Sequence, residues 1–244
     1  HAVELVIEPP HAFIGDLDNQ SRRRIKKEAV DLGLDLTIHA SFSSVNVGAI
    51  NENVRRFAVT EIKKCISLAV DLEAVVVVIH PGELGATGIP FPEQVREKSL
   101  ISFRELAQYA ETLEAKLSIE NMPLFPWNQL KDVYTPEGIL RVVEEVNSSM
   151  LGITWDIGHS NTTPIPMEEF ADAFSRHLFH LHIHDNMGPK ASGWTDSHNE
   201  VGKGTINWKQ LFHILKQLNF RGICMLELDS WEKIDRSLNV LKNY

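Results

Sequence analysis

Short apolar runs alternate with longer amphipathic stretches along the whole chain. Seven of the runs are rich in Val, Ile and Leu and show little polar alternation, which is typical of strands buried on both faces of a parallel sheet. The predicted strands are Val3–Ile7, Leu34–His39, Ala74–His80, Lys116–Glu120, Gly152–Asp156, Leu178–His184 and Gly222–Glu227.

Between these runs, apolar residues recur at steps of three and four, as they do on the buried face of a helix. The predicted helices are Asn51–Leu72, Pro92–Leu113, Pro136–Val146, Met167–Ser175, Asn207–Leu218 and Ser230–Lys242. One helix start is marked by Thr135 followed by Pro136, because threonine is a favoured N-cap and proline fits the first helical position.

Repeated strand–helix units with no break in composition predict a single α/β domain over residues 1–244. The pattern favours a TIM (β/α)8-type barrel, which needs eight units where seven are counted here. We therefore expect a first strand–helix unit to precede residue 1, and a gap between the first and last predicted strands. An open doubly wound sheet is the alternative, and the residues at the strand ends favour the barrel.

Six of the seven predicted strands finish in a residue that can bind a metal: His39, His80, Glu120, Asp156, His182 and Glu227. Three further candidates follow closely, His159 after Asp156 and the pair Asp196 and His198 in the next loop. In a barrel the carboxyl ends of the strands converge at one mouth, where barrel enzymes place their active sites. Imidazole and carboxylate are ligands of Zn, Mn, Fe and Co, so we expect one to three divalent ions here.

Composition narrows the class of protein without deciding its reaction. The 244 residues are 43% hydrophobic and 23% charged, as in an ordinary globular protein, and the net charge of -9 argues against non-specific binding to polyanions. No basic segment with a following apolar stretch resembles a signal peptide, and no apolar run reaches the ~20 residues that span a bilayer. Cys65 and Cys224 lie in apolar contexts, so we expect core residues, no disulfide and a cytoplasmic protein.

Taken together, the strand ends resemble those of the xylose-isomerase-like barrel superfamily. The stretches that carry the resemblance are His-Ala-Ser from position 39, His-Pro-Gly from 80, Glu-Asn from 120, Asp-Ile-Gly-His from 156 and His-Ile-His-Asp-Asn from 182. The superfamily contains the sugar-phosphate isomerases and epimerases and the endonuclease IV type of apurinic/apyrimidinic endonuclease. The similarity extends over essentially the whole chain, and no single motif carries it.

The resemblance also implies how the nine candidate ligands would be grouped. Endonuclease IV holds three zinc ions, and each of their ligands has a matching residue type in this chain. The matching sets are His39, His80 and Glu120; Glu120, Asp156, His182 and Glu227, with Glu120 bridging; and His159, Asp196 and His198. The single-metal isomerases and epimerases use the counterparts of the second set alone, so that quartet is implied under either reaction.

Two reactions stay open. A cluster of ions suits cleavage of a phosphodiester in abasic DNA, whereas one ion suits isomerisation or epimerisation of a small sugar or sugar phosphate. No Arg/Lys cluster follows the strand ends, although contacts to a DNA backbone need one. Phe42 is followed by the small residues Ser43 and Ser44, whereas a wedge inserted into DNA needs a bulky side chain. We therefore favour the sugar substrate, although Pro126 and Gly188 replace the Glu and Arg of well-defined sugar epimerases. A non-catalytic metal-binding barrel is a third hypothesis.

For the favoured reaction, the candidate catalytic residues are Glu120, Glu227 and His159, and the candidate substrate-binding residues are His184, Trp194 and Lys203. The connection from residue 186 to 204 is long for a strand–helix loop, and such loops are usually functional. We expect Lys203 and the flanking glycine amides to hold a substrate phosphate, and Trp194 to close over a sugar face.

Overall fold

A computed structural model of the chain describes residues 1–125, 130–189 and 195–244. The seven strands form one sheet in chain order, and every neighbouring pair is parallel. The strands are β1 (Ala2–Val6), β2 (Asp35–His39), β3 (Val77–Ile79), β4 (Leu117–Glu120), β5 (Leu151–Asp156), β6 (Leu178–Ile183) and β7 (Ile223–Leu226). All seven predicted strands are thus confirmed, with bounds that differ by one to three residues at an end.

Helices connect consecutive strands, so the sheet curves into a TIM barrel with its helices outside. They are α1 (Asn19–Leu32), α2 (Glu52–Leu72), α3 (Gly85–Gly88), α4 (Pro92–Leu113), α5 (Lys131–Tyr134), α6 (Pro136–Val146), α7 (Ile157–Asn161), α8 (Met167–Phe174), α9 (Trp208–Gln217) and α10 (Trp231–Leu241). Within the described ranges, none of them combines the length and the hydropathy needed to cross a membrane.

The predicted cap of α6 is confirmed, because the Thr135 hydroxyl accepts the Gly138 amide hydrogen at 3.1 Å. Helix α1 was not predicted from the sequence. It is rich in Arg, Lys and other polar residues and buries only Ala29 fully, so its hydrophobic periodicity is weak. Its two ends are nevertheless well defined: the Asp18 carboxylate accepts the Ser21 amide hydrogen at 2.7 Å, and Gly33 ends the helix with a φ of 63°.

The predicted gap lies between β1 and β7. Among the described residues, β1 pairs only with β2 and β7 only with β6. Both strands are partly exposed, whereas β3, β4 and β5 are fully buried. A unit before residue 1 stays a prediction.

The interpretation of Cys224 as a core residue was wrong, because it lies in the edge strand β7 and is exposed. Cys65 is buried in α2, and both cysteines are free.

Large aromatic side chains fix the helices that follow β5. The Trp155 ring lies parallel to Phe170 at 6.3 Å between centroids and edge-on to Phe174 at 6.2 Å. All three are completely buried, and the Trp155 indole N–H donates to the Ser160 hydroxyl at 3.2 Å. Burying a large aromatic side chain contributes roughly 2–3 kcal/mol, so this cluster holds the end of β5 firmly.

Polar side chains fill the inside of the barrel. The Thr37 hydroxyl of β2 donates to the Glu4 carboxylate of β1 at 2.9 Å, and the hydroxyls of Ser118 and Thr154 lie 2.6 Å apart. His180 of β6 is also completely buried. Since side chains alternate along a strand, the residue two positions further along points the same way. This alternation brings His39, Glu120, Asp156 and His182 to the mouth.

Candidate metal centre

Four strands bring three carboxylates and one imidazole together at the mouth of the barrel. Glu120 ends β4, Asp156 ends β5, His182 lies in β6 and Glu227 follows β7. The β5–β6 register sets Asp156 directly beside His182. Each of the four offers a ligand atom, and all these atoms lie within 4.8 Å of one another. We call Glu120, Asp156, His182 and Glu227 the quartet.

Distances within the quartet centre on one imidazole nitrogen. His182 Nδ1 lies 2.9 Å from Glu120 Oε1, 3.4 Å from Glu227 Oε2 and 3.9 Å from Asp156 Oδ2. Asp156 Oδ2 and Glu227 Oε2 are buried and have no hydrogen-bond partner. Burying carboxylate oxygens in this way is costly unless a cation balances them. The donor set therefore fits a divalent ion of the Zn, Mn, Fe or Co type.

The second group joins His39 and His80 to the other oxygen of Glu120. His39 Nε2 lies 3.3 Å and His80 Nε2 lies 3.2 Å from Glu120 Oε2, while Glu120 Oε1 faces His182. The Glu120 carboxylate thus belongs to both the second group and the quartet, with one oxygen in each. The resemblance implied such a bridging position for it.

The third group surrounds Asp196. His159 Nε2 lies 3.4 Å from Asp196 Oδ2, and His198 Nε2 lies 3.4 Å from Asp196 Oδ1. His184 belongs to the same group by distance, but its ring is stacked on that of His198, 3.8 Å away and 4° from parallel. Imidazole lone pairs lie in the ring plane, so two stacked parallel rings cannot both aim at one ion.

Hydrogen bonds fix which nitrogen each histidine presents. Nδ1 lies 2.9 Å from the Ala40 carbonyl oxygen in His39, 2.8 Å from that of Asn121 in His159, and 3.1 Å from that of Glu227 in His198. A carbonyl oxygen only accepts, so each Nδ1 carries the hydrogen and each Nε2 is free to bind. Metal-binding histidines are usually held in this way.

At the centre of the site, an ionised Glu120 is balanced by a protonated His182. Burial raises the pKa of Glu120, but the charge of His182 and hydrogen bonds from His182, His39 and His80 outweigh it and hold the pKa well below its ordinary value. Burial lowers the pKa of His182, yet the surrounding carboxylates, led by Glu120, raise it well above the ordinary value. An ion that binds here must displace such protons, so its binding will depend on pH.

Asn121, which the sequence reasoning missed, connects β4 to β5. Its side chain accepts the Asp156 amide hydrogen at 2.8 Å and donates to the Asp156 carbonyl oxygen at 3.0 Å. Asp156 Oδ1 in turn accepts the His159 amide hydrogen at 2.6 Å at the start of α7. The other oxygen, Oδ2, is left for the quartet. The only sequence signal for Asn121 is its place directly after Glu120.

Asp185 holds the loop that carries Asp196 and His198, and it was also missed. Its buried carboxylate accepts the amide hydrogen of Gly202 and the indole hydrogen of Trp208, at 2.9 and 3.0 Å. A Cβ at Gly204 would overlap the Asp185 carboxylate. Gly204 therefore lets the loop pack against Asp185, and Gly202 adopts the left-handed φ of 83° that the loop needs.

The three candidate substrate-binding residues lie in different surroundings. His184 is completely buried beneath Gly158, where a Cβ would overlap its ring. Lys203 is exposed, and its amide donates to the Glu200 carbonyl oxygen at 3.0 Å. Trp194 lies outside the described residues. All three roles stay predictions.

A cavity of about 270 Å³ opens beside His80. Phe42 forms one wall, with its ring stacked on His80 at 5.0 Å between centroids, and Val45 and Met122 add apolar surface. Among the described residues that line the cavity, Glu83 is acidic and none is a Lys or an Arg.

The fold and this cluster define a (β/α) barrel with an acid–histidine site at the carboxyl ends of its strands. Residues 1–244 match the family model described as xylose isomerase-like TIM barrel. The chain belongs to this family, and both the predicted resemblance and the barrel fold are confirmed.

Several known proteins are similar to this chain. Fructoselysine 3-epimerase of Escherichia coli O157:H7 is 25% identical over 222 residues, which cover 90% of this chain and 77% of that protein. Uncharacterized protein MJ1311 of Methanocaldococcus jannaschii is 32% identical over 215 residues, or 86% of this chain and 70% of that protein. A crystal structure of a D-tagatose 3-epimerase-like protein superposes with a TM-score of 0.89 at 30% identity, covering 100% and 87% of the two chains.

Proposed function

We propose that this protein is a divalent-metal-dependent enzyme that epimerises or isomerises a small sugar or sugar phosphate. The observation that carries the proposal is the quartet, in which buried, unpartnered oxygens of Asp156 and Glu227 face His182 Nδ1. The similarity to fructoselysine 3-epimerase and to the D-tagatose 3-epimerase-like protein supports the same class of reaction.

An ion bound by the quartet would supply Lewis-acid polarisation of a carbonyl and its neighbouring hydroxyl. The residues of the chain then move the proton on the carbon beside that carbonyl. Glu227 would take this proton, because its side chain is 36% exposed and is the most open to a substrate in the quartet. The electron pair left on carbon delocalises onto the carbonyl oxygen. Return of a proton to the opposite face, from Glu120 or His159, inverts the carbon centre.

Glu120 is more buried than Glu227, since its side chain is only 1% exposed. One of its oxygens contacts His182, and the other contacts His39 and His80. Return of the proton to the old carbonyl carbon, coupled to loss of the hydroxyl proton, would give isomerisation instead. Neither epimerisation nor isomerisation needs an oxidant or a second substrate. Both require only the ion and the acid–base groups Glu227, Glu120 and His159.

The cavity beside His80 suits the proposed substrate. Phe42 offers an aromatic face to the C–H face of a sugar, and the hydroxyls of Ser43 and Ser44 line the same space. Since no described lining residue is a cation, the lining favours an unphosphorylated sugar. The relatives named above give no support to the alternative of a phosphodiesterase acting on abasic DNA.

A kinetic comparison tests the predicted phosphate contact of Lys203. If Lys203 binds a phosphate, Lys203→Ala will raise KM for the phosphorylated form of a sugar and leave KM for the free sugar unchanged. If KM is equal for the two proteins on both forms, Lys203 is an ordinary surface residue and the substrate carries no phosphate at that position.

The proposal as a whole is tested by metal content and turnover. Protein purified without chelator should contain at least one Mn, Co, Fe or Zn ion per chain by elemental analysis, and two or three if the outer groups are also filled. Loaded protein incubated with ketoses in D₂O should incorporate deuterium at the carbon beside the carbonyl. A protein without metal, or one with metal that exchanges no substrate proton in a panel of ketoses and ketose phosphates, would contradict the proposal.

A further inference from the structure

Glu4 lies in the middle of β1, yet its carboxylate is inside the barrel with a side chain that is only 7% exposed. One oxygen, Oε1, lies 3.0 Å from His182 Nε2. The other, Oε2, accepts the Thr37 hydroxyl hydrogen at 2.9 Å and lies 3.4 Å from His180 Nε2. Because β1 and β6 are not neighbours in the sheet, this contact crosses the interior of the barrel.

His182 therefore lies between two carboxylates, and its contact with Glu4 is an ion pair that lacks hydrogen-bond geometry. Its Nδ1 faces Glu120 at 2.9 Å, within the quartet, while its Nε2 faces Glu4 on the opposite side of the ring. His39, His159 and His198 have backbone carbonyl oxygens in the corresponding position. A carboxylate carries a full negative charge, and a carboxylate beside the far nitrogen fixes the ring and increases its basicity as a ligand.

We propose that Glu4 is a positioning residue for the metal centre, whose buried carboxylate holds the Nε2 edge of the His182 ring by ion pairing so that Nδ1 faces the quartet. Thr37 keeps the carboxylate in place through its hydrogen bond to Oε2. This inference rests on the proposed function, because it assumes that the quartet binds an ion. It assigns to β1 a part in a site whose candidate ligands all follow later strands.

The test is a titration of metal-free protein with Co²⁺, followed by calorimetry and by the visible absorption of the bound ion. Glu4→Ala removes the carboxylate, and we expect affinity to fall about 10–100-fold, the range typical of such partners. Glu4→Gln keeps an oxygen beside Nε2 but removes the negative charge, so the loss should be smaller than in Glu4→Ala. Glu61→Ala and Glu61→Gln are matched controls, since Glu61 is 12% exposed and pairs with Lys64 on α2.

The outcomes separate this inference from the proposed function. Absence of Co²⁺ binding by the wild-type protein would overturn both. Tight binding by the wild type with equal affinity and an unchanged Co²⁺ spectrum in Glu4→Ala would overturn the role of Glu4 alone. Thr37→Val covers the case in which Glu4→Ala fails to fold. It keeps the Glu4 carboxylate but removes the hydrogen bond that orients it. Metal affinity should therefore fall in a protein whose melting temperature is close to that of the wild type. Unchanged affinity in Thr37→Val would count against the role of Glu4.

Discussion

Glu120 is the central residue of the site, because its two carboxylate oxygens contact different histidines. Oε1 faces His182, and Oε2 faces His39 and His80. Three carboxylates of the quartet within 4.8 Å of one another repel by about 4 kcal/mol per pair at an effective dielectric constant of about 20. Protonated His182 offsets that repulsion in the metal-free protein, and a divalent ion would offset it in the loaded one.

Glu120→Gln should weaken metal binding by more than about 100-fold, since a ligand is lost and not merely an outer partner. Turnover should fall by about 10²–10⁴-fold, as for loss of a general acid–base. Calorimetry with Co²⁺ and the deuterium-exchange assay measure the two effects. Glu111→Gln, on the exposed side of α4, is the control and should change neither. Full metal affinity in Glu120→Gln would contradict the assignment of the quartet.

The histidines of the third group predict a pH dependence. Burial lowers the pKa of His198, but Asp196 and Glu227 outweigh it and raise the pKa to about 9. An unfolded histidine titrates near pH 6.5. Because the folded pKa is the higher one, this stabilisation is fully present below about pH 6.5 and is lost as the pH rises through about 9.

The melting temperature of the metal-free protein should therefore fall between about pH 6.5 and pH 9.5. His198→Gln should flatten part of this slope, while His11→Gln, at an exposed position outside the site, should leave it unchanged. Differential scanning calorimetry in chelator at several pH values measures the slope. A melting temperature that rises over this range would show that the histidines are neutral in the folded protein.

Among the secondary-structure elements, β5 and α7 show how the fold positions the ligands. Asp156 is both the last residue of β5 and the N-cap of α7, so one side chain ends a strand, starts a helix and points Oδ2 at the quartet. Asn121 fixes the backbone of Asp156 from β4. Ligands at the ends of buried strands are held by the sheet itself, which gives them more precise positions than a loop would.

Helix α6 offers a clean measurement of a cap predicted from the sequence. Thr135→Ala removes the oxygen that accepts the Gly138 amide hydrogen, and should lower the free energy of unfolding by about 1 kcal/mol. Thr60→Ala, at an exposed position within α2, should change it by less than about 0.5 kcal/mol. Urea denaturation measures both. Equal effects of the two substitutions would mean that the cap contributes nothing specific.

Across the whole molecule, the candidate ligands come from the ends of successive strands and from the loop after β6. No such arrangement exists in the unfolded chain, so an ion that binds this site binds the folded state alone. Its binding free energy then adds to the stability of the whole barrel. The effect should be large in a sheet whose first and last strands are not paired in the described structure.

Saturation with metal at about 100 times Kd should stabilise the barrel by about 2.7 kcal/mol, or by roughly 5–10 °C in the melting temperature of a chain of this size. Thermal melts in Co²⁺ and in chelator give the shift. Glu120→Gln should show a much smaller shift at the same metal concentration. An equal shift in both proteins would place the stabilising ion outside the quartet.

The sequence by itself determined the barrel and the candidate ligands. The alternation of apolar runs with amphipathic stretches is a local property, so it predicts parallel strands and outer helices before any contact is known. The ends of parallel strands share one edge of the sheet, which is why His39, Glu120 and Asp156 could be placed together from their positions alone. Helix α1 was missed because its apolar face is too small for such a pattern to detect.

Only the tertiary structure decided what depends on register and on contacts across the barrel. Glu4 lies mid-strand, and its contact with His182 exists because β1 and β6, which are not paired in the sheet, both direct a side chain into the interior. In His159 and His198 the free nitrogen is set by carbonyl oxygens of other segments, and the loop after β6 folds back to stack His198 on His184. Cys224 is exposed because its strand lies at the edge of the sheet. Such relations join residues far apart in the chain, so no local pattern encodes them.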